Sequence, residues 1–247
     1  MRPKEPERPG RQPVHALPDC PGSMISSSDW GKTWSVVKPR TRATGVTVGS
    51  DSVGWAIVPR SATEDVGGSL IATADGGRHW RRVSIDCGRV AGEPLGGAHA
   101  ASLVSESSGW VLCNGISGFE TQERTVVHTT EGGSRWRTFH QGEAGYPLGL
   151  FFSRGGSGWE WMDASVGLRT QDGGRTWHQW HYADGDRRVP LSVWFEGAQL
   201  GHALVWYRLA VPGGGKSKVA LVASKDGGTS WSTTLKWPGV CLQPCQL

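Results

Sequence analysis

One eight-residue pattern occurs five times in this chain and constrains its fold more than any other feature. It reads TQDGGRTW at Thr170–Trp177, and the other copies are SSDWGKTW, TADGGRHW, TTEGGSRW and SKDGGTSW, at 27–34, 73–80, 129–136 and 224–231. Successive closing tryptophans lie 46, 56, 41 and 54 residues apart, which is the length of repeated supersecondary units. The chain is therefore expected to be a tandem array of similar units.

Each copy has the residues of a tight β-hairpin. An acidic residue and at least one glycine lie at its centre, and a tryptophan closes it. Glycine adopts φ > 0 without a steric penalty, which lets a hairpin turn follow the twist of its two strands. The carboxylate can accept hydrogen bonds from backbone N–H groups inside the turn, and the tryptophan supplies a large apolar face that covers it.

A second repeat precedes the first. Gly54-Trp55, Gly109-Trp110 and Gly158-Trp159 each open a short apolar run, and Gly201-His202 occupies the same place in the last unit. Another strand-like run lies upstream of each, namely GVTVG, AASLV, LGLFF and LSVWF. The unit is thus predicted to have four short strands, with the octapeptide joining the third to the fourth. Four-stranded units repeated at this length are blades of a β-propeller.

The octapeptide resembles the Asp-box (BNR) repeat, S/T-x-D-x-G-x-T-W, of sialidases and related propellers, and the Gly-Trp strand resembles bacterial propellers related to photosystem II assembly factors. The resemblance implies that the box is structural and lies opposite the ligand face. Its residues here are Asp29, Trp34, Asp75, Trp80, Glu131, Trp136, Asp172, Trp177, Asp226 and Trp231. Departures from the pattern at Glu131, His79, Arg135 and Ser230 predict looser hairpins there.

The predicted architecture is an all-β propeller of about five antiparallel four-stranded blades, the first of them incomplete. Only the last two strands of the first unit are evident, so the chain fits either five blades or a piece of a six- or seven-bladed ring. Residues 1–22 are rich in proline and arginine and are expected to be a disordered tail, with residues 23–247 forming the propeller domain.

Composition excludes several classes of function. A net charge of +4 without a basic stripe argues against nucleic-acid binding. No apolar run is long enough to span a membrane, no Cys/His cluster has zinc spacing, and no nucleotide motif stands out. We therefore expect no metal, no cofactor and a monomeric protein.

The five cysteines point to an oxidising compartment. Cys87 follows the fourth strand of one blade and Cys113 ends the second strand of the next, so a propeller brings both to one face at neighbouring blades. Cys20 has the same relation to Cys241 or Cys245 across the ring closure. Two disulfides would favour an extracellular or cell-envelope location, with an export signal outside the given chain. The alternative is five unrelated buried thiols.

The resemblance implies a ligand face formed by the loops after the second and fourth strands. Candidate residues there are Arg40, Arg42, Arg89, Arg124, Tyr146, Tyr182, Arg187 and Arg188. The Arg-Ile-Pro motif of sialidases is absent, and no Tyr–Glu nucleophile can be matched, so no catalytic residue is assigned. The favoured function is a non-catalytic scaffold that binds a protein or a glycan, and the alternative is a divergent sialidase-type glycoside hydrolase.

Overall fold

The computed structural model confirms the all-β architecture. It describes residues 24–26, 33, 35–37, 43–60, 67–90, 93–94, 96–117, 122–162, 166–181, 188–208 and 217–237. Within these ranges the chain forms twenty β-strands and no helix. Sixteen of the strands make four antiparallel sheets of four consecutive strands each, which are the blades of a β-propeller.

The complete blades correspond to the second to fifth sequence units and are called blades 2 to 5. The strands of each blade are given from the innermost to the outermost. Blade 2 contains β3 (Thr44–Val48), β4 (Gly54–Val58), β5 (Ser69–Thr73) and β6 (Arg81–Val83), and blade 3 contains β9 (Gly97–Leu103), β10 (Gly109–Ser117), β11 (Gln122–Thr129) and β12 (Arg137–Ala144). Blade 4 contains β13 (Pro147–Phe152), β14 (Gly158–Met162), β15 (Val166–Thr170) and β16 (His178–His181), and blade 5 contains β17 (Arg188–Glu196), β18 (Leu200–Arg208), β19 (Ser217–Ser224) and β20 (Ser232–Trp237).

Two smaller sheets accompany the blades. The described part of the first unit is a hairpin of β1 (Met24–Ser26) and β2 (Ser35–Val37), which are the two strands predicted for it. A short ribbon of β7 (Arg89–Val90) and β8 (Glu93–Pro94) lies in the connection between blades 2 and 3 and was not predicted. The inner strands of consecutive blades, β3, β9, β13 and β17, pack against one another in that order.

The second strands of blades 2, 3 and 4 are buried on both faces along most of their length, whereas β18 of blade 5 alternates between buried and half-buried residues. All five residues of β14 are buried, as are the first four of β4. This explains why the sequence shows continuous apolar runs such as WAIV here rather than the alternation of a strand with one solvated face.

The Gly-Trp repeat builds the junctions between blades. The Trp55, Trp110 and Trp159 side chains each join an apolar cluster shared with the next blade. Trp110 stacks on Phe152 with ring centroids 4.1 Å apart, and Trp159 stacks on Phe195 at 3.5 Å.

The glycine of the same dipeptide leaves room for an aromatic ring. A Cβ atom at Gly109 would lie 2.6 Å from the Trp55 ring, and one at Gly158 would overlap the Phe152 ring. The pairs Gly109-Trp110 and Gly158-Trp159 therefore each accommodate one aromatic ring beside the glycine and place another into the following junction.

Candidate binding site

The octapeptide hairpins satisfy their own carboxylates. Asp172 Oδ1 accepts hydrogen bonds from the backbone N–H groups of Arg175 (3.0 Å) and Thr176 (2.9 Å), and Oδ2 accepts from the Thr176 hydroxyl at 2.6 Å. The Thr170 hydroxyl donates to Oδ1 at 2.8 Å and accepts from the Gly174 N–H at 3.0 Å. Both central glycines have positive φ, 74° at Gly173 and 90° at Gly174, which explains their recurrence.

Two of the four departures from the octapeptide pattern preserve this network. The Ser230 hydroxyl donates to Asp226 Oδ2 at 2.6 Å, and His79 Nδ1 lies 2.6 Å from Asp75 Oδ2. Hydrogen bonds from His79 lower the pKa of Asp75. Hydrogen bonds from Ser230 lower the pKa of Asp226 to about 2. The expected loosening is therefore absent at these two hairpins.

The third-unit hairpin is looser, as expected. Glu131 replaces the aspartate, and among the described residues its carboxylate meets only the exposed Arg135, with Nε 3.8 Å from Oε2. Its backbone turn is held instead by the Thr129 hydroxyl, which accepts from the N–H groups of Glu131 (3.1 Å) and Gly133 (3.2 Å).

The tryptophans that close the octapeptides are also committed to structure. The Nε1 atoms of Trp80, Trp177 and Trp231 donate to the carbonyls of Gly77, Gly174 and Gly228 at 2.9–3.0 Å. Trp136 differs, because its Nε1 donates at 2.9 Å to the Ser84 carbonyl in the connection that leaves blade 2. These side chains stabilise hairpins and junctions rather than forming a ligand groove.

A buried ion pair joins blades 3 and 4. Arg124 Nε on β11 lies 2.6 Å from Glu160 Oε1 on β14, and the two side chains are 2% and 0% exposed. Burial raises the pKa of the Glu160 carboxyl, and the positive charge of Arg124 opposes that rise. Arg124 was predicted to reach a ligand on the surface, and its burial corrects that prediction.

His140 completes this cluster at the edge of the junction. Arg124 Nη2 donates to His140 Nε2 at 3.4 Å, and the imidazole lies 5.7 Å from the Trp177 ring centroid. Burial, with a smaller contribution from Arg124, lowers the pKa of His140. A neutral imidazole is the form that can accept this hydrogen bond. The cluster is thus a structural link between two blades, and sequence reasoning missed Glu160 because it lies inside an apolar run.

The structure describes three of the other residues that were predicted on the ligand face. Arg89 is exposed on β7, Tyr146 is half-buried directly before β13, and Arg188 begins β17. Several predicted residues lie outside the described ranges: Arg40, Arg42, Tyr182 and Arg187, Asp29 and Trp34 of the first octapeptide, Cys20, Cys241 and Cys245, and the tail 1–22.

A cleft of about 560 Å³ opens at the junction of blades 2 and 3. It lies where β4, β6 and the loops that follow them meet the start of β9, which is the face on which a ligand site was predicted. Its charged lining residues are Arg60, Arg82 and Asp86, and Cys87 also lines it. Neither arginine was predicted from the sequence to contact a ligand. The sequence feature that could have indicated this cleft is the pair of Gly-Gly dipeptides at 67–68 and 96–97.

The floor of the cleft is rigid because the two blades are bonded to each other there. Gly68 and Ala98 exchange backbone hydrogen bonds of 2.6 and 2.9 Å, and Asn114 Oδ1 accepts from the Gly67 N–H at 2.7 Å. Gly97 has φ = +142°, and a Cβ atom there would overlap the Gly68 carbonyl. The glycine doublets therefore let the two backbones approach closely.

A disulfide lies beside this floor. Cys87 and Cys113 are bonded, with Cα atoms 5.8 Å apart, as the blade topology predicted. Cys113 is fully buried on β10, whereas Cys87 lines the cleft and is 7% exposed.

The two cleft arginines each make a hydrogen bond to the protein. Arg60 Nη2 donates to the Gly96 carbonyl at 2.9 Å, and Arg82 Nη1 donates to the Ser69 hydroxyl at 3.0 Å. A guanidinium carries five N–H donors in a planar fork, so these bonds orient the groups without using their full capacity.

Within the described ranges, no group of three His, Cys, Asp or Glu side chains is arranged to hold a metal ion. The described part of the chain contains no helix long and apolar enough to cross a membrane.

The sequence matches no protein-family model and no curated protein. Its similarities are to solved structures. The α-L-arabinofuranosidase of glycoside hydrolase family 93 from Fusarium graminearum, in complex with arabinobiose, aligns with a TM-score of 0.53 and 14% identity over 76% of this chain and 64% of that one.

The photosystem II assembly propeller YCF48 also aligns. YCF48 bound to D1 peptide gives a TM-score of 0.47 with 15% identity over 78% of this chain and 82% of that one. YCF48 from Cyanidioschyzon merolae gives 0.46 with 14% identity over 86% and 78%. At 14% identity, the alignment with the arabinofuranosidase concerns the propeller fold and no activity.

Proposed function

We propose that this protein is a non-catalytic propeller scaffold that holds an acidic segment of a partner protein in the cleft between blades 2 and 3. The observation that carries the proposal is the cleft itself. It is preformed on a rigid floor, its volume suits a few residues of an extended segment, and two oriented arginines line it.

Charge favours an anionic ligand. Arg60 and Arg82 outweigh Asp86 among the charged lining residues, and exposed Arg89 directly follows the cleft wall. Arginine pairs with carboxylates through two parallel hydrogen bonds, which provides orientation as well as attraction. A segment with closely spaced Asp or Glu side chains can use both arginines at once.

A protein segment fits the lining better than a glycan does. The wall from Ser84 to Gly88 lies outside any strand, so an extended peptide can reach its backbone groups. None of the lining residues that the structure describes is aromatic, although sugar-binding clefts ordinarily present an aromatic face to the ring. We therefore favour a protein ligand, and the experiment below also tests for binding of a glycan.

The glycoside hydrolase alternative receives less support from the described residues. Glycoside hydrolysis requires two carboxyl groups that flank the scissile bond in an accessible site. Glu160 is fully buried and paired with Arg124, and the octapeptide carboxylates Asp75, Asp172 and Asp226 are held in their hairpins.

We further propose an extracellular or cell-envelope location, with which the Cys87–Cys113 disulfide is compatible.

The test is binding of a fluorescein-labelled hexaglutamate peptide, measured by anisotropy with the full chain. We expect saturable binding that weakens with added salt, and a loss of affinity of roughly three- to thirtyfold in the Arg60→Ala/Arg82→Ala double variant. Arg154→Ala is the control. Arg154 is also exposed, and it donates a hydrogen bond to the Val104 carbonyl. It lies in the loop between β13 and β14, on the face opposite the cleft.

Two results would overturn the proposal. One is equal affinity in the cleft variant and the control, and the other is hydrolysis of fluorogenic arabinosides or sialosides by the wild-type protein. Binding of an acidic oligosaccharide in preference to the peptide, lost in the cleft variant, would replace the protein ligand with a glycan.

A further inference from the structure

One wall of the cleft is a connector that belongs to no strand. Residues 84–88 run from the end of β6 to the start of β7, and all five line the cleft. Without sheet hydrogen bonds along its length, the position of the connector depends on a few contacts at particular residues.

Three contacts hold this connector. The Ser84 carbonyl accepts the hydrogen bond of Trp136 Nε1 at 2.9 Å, half-buried Ile85 packs on the apolar cluster of the junction, and Cys87 is bonded to Cys113. The hydrogen bond from the Gly88 N–H to Asp86 Oδ1, 3.0 Å, is internal to the connector and does not tie it to a blade. The disulfide is therefore the covalent anchor at the end that leads into β7, where Cys87 also packs in the same apolar cluster.

The rest of the cleft is held independently of the disulfide. Cys113 is paired with Ala98 on one side and Thr125 on the other, so its strand stays in the sheet without the sulfur bond. The Gly68–Ala98 backbone bridge and the bond from Arg60 to the Gly96 carbonyl also involve neither cysteine. Breaking the disulfide should thus release one wall and leave the floor in place.

We propose that the Cys87–Cys113 disulfide is a redox-sensitive clasp of this cleft: the cleft binds its acidic ligand when the disulfide is formed and loses affinity when the two cysteines are reduced. The inference rests on the proposed function for its ligand. Its physical basis is preorganisation, because a released connector must be ordered again each time the ligand binds.

The reductant for this step is a dithiol. Its thiolate attacks Sγ of Cys87, which lines the cleft, while fully buried Cys113 is inaccessible. A mixed disulfide forms, the Cys87–Cys113 bond breaks, and Cys113 leaves as a thiolate that takes up a proton. The second thiol of the reductant then displaces Cys87, so the dithiol becomes a disulfide and the protein gains two thiols.

The experiment compares oxidised protein with protein treated with a dithiol under native conditions. Hexaglutamate affinity and amide hydrogen exchange are measured on both, and on the Cys87→Ser/Cys113→Ser variant. We expect affinity to fall about tenfold on reduction. Exchange should accelerate more at residues 84–88 than in β13 and β14, where any increase reflects the loss of global stability. The variant should have the peptide affinity of the reduced protein, and the dithiol should not change it. This result distinguishes the effect of reducing this disulfide from an effect on the other cysteines.

Equal peptide affinity in the oxidised and fully reduced protein would overturn the clasp and leave the proposed function standing. An equal acceleration of exchange at residues 84–88 and in the blades would also overturn it, because the disulfide would then act on global stability alone and not on one wall. If the oxidised protein does not bind the peptide, the proposed function fails. Hydrogen exchange alone then decides whether the disulfide holds the connector: a selective increase at residues 84–88 supports it, and no increase rejects it.

Discussion

Arg124 of blade 3 and Glu160 of blade 4 form an ion pair that is sealed from solvent, with Nε and Oε1 2.6 Å apart. Such a pair is sensitive to the loss of one partner, since the remaining charge is left in a medium of low polarity. Glu160 is paired in the sheet with Leu150, which belongs to the apolar cluster that joins the two blades. The pair therefore lies at a position where stability depends on both partners being present.

We expect Arg124→Met to destabilise the protein by about 3–5 kcal/mol, because it strands the Glu160 carboxylate in the junction. The double variant Arg124→Met/Glu160→Leu should recover most of that loss, since no charge then remains buried. Urea unfolding of the three proteins measures both effects. A single variant no less stable than the double variant would contradict the account of the pair.

The hydrogen bonds of Asp226 predict acid sensitivity. Ser230 lowers the pKa of this carboxyl to about 2, so the stabilisation is present above its unfolded pKa of about 4 and is lost as pH falls toward 2. Asp226→Asn should therefore lower the melting temperature at pH 7 and reduce the fall in stability between pH 4 and pH 2. Thermal melts across this range provide the measurement.

Glu131→Gln is the control for Asp226→Asn. Glu131 occupies the equivalent place, but its carboxylate meets only the exposed Arg135 among the described residues. The melting temperature and its pH profile should change little. An equal effect at both positions would show that the carboxylate–turn hydrogen bonds do not account for the stability of these hairpins.

Gly158 is predicted to be intolerant of any side chain. A Cβ atom there would overlap the Phe152 ring, which stacks on Trp110 across the blade junction. We expect Gly158→Ala to cost about 1–3 kcal/mol by overpacking. Gly142→Ala is the matched control in β12, because the nearest atom to its Cβ would be 3.8 Å away. Similar urea midpoints for the two variants would contradict the packing explanation.

The Cys87–Cys113 disulfide should also contribute to global stability. It closes a loop of 26 residues, for which the chain-entropy model gives about 3–4 kcal/mol. Cys87→Ala/Cys113→Ala should lower the urea midpoint accordingly, and added reductant should destabilise the wild-type protein more than this variant. Equal sensitivity to reductant would assign the stabilisation to other cysteines.

Local chemistry made much of this fold predictable from sequence. The Asp172 turn closes through hydrogen bonds within eight residues, so its pattern recurs wherever that hairpin is needed. The order of four strands per unit follows from the spacing of two repeats, and the same topology placed Cys87 beside Cys113. The β7–β8 ribbon was missed because two-residue strands leave no periodic signal.

The residues that face each other across two blades were decided only by tertiary structure. Arg124 was assigned to the surface because its loop lies on the ligand face, yet the packing of blade 4 against blade 3 buries it on Glu160. Arg60 and Arg82 both belong to blade 2, and they line a cleft because Gly68 and Ala98 join that blade to blade 3 closely enough to form its floor. Hydrogen bonds and turns are encoded within a repeat, whereas contacts between repeats depend on the angle and distance at which whole sheets pack, which no local pattern specifies.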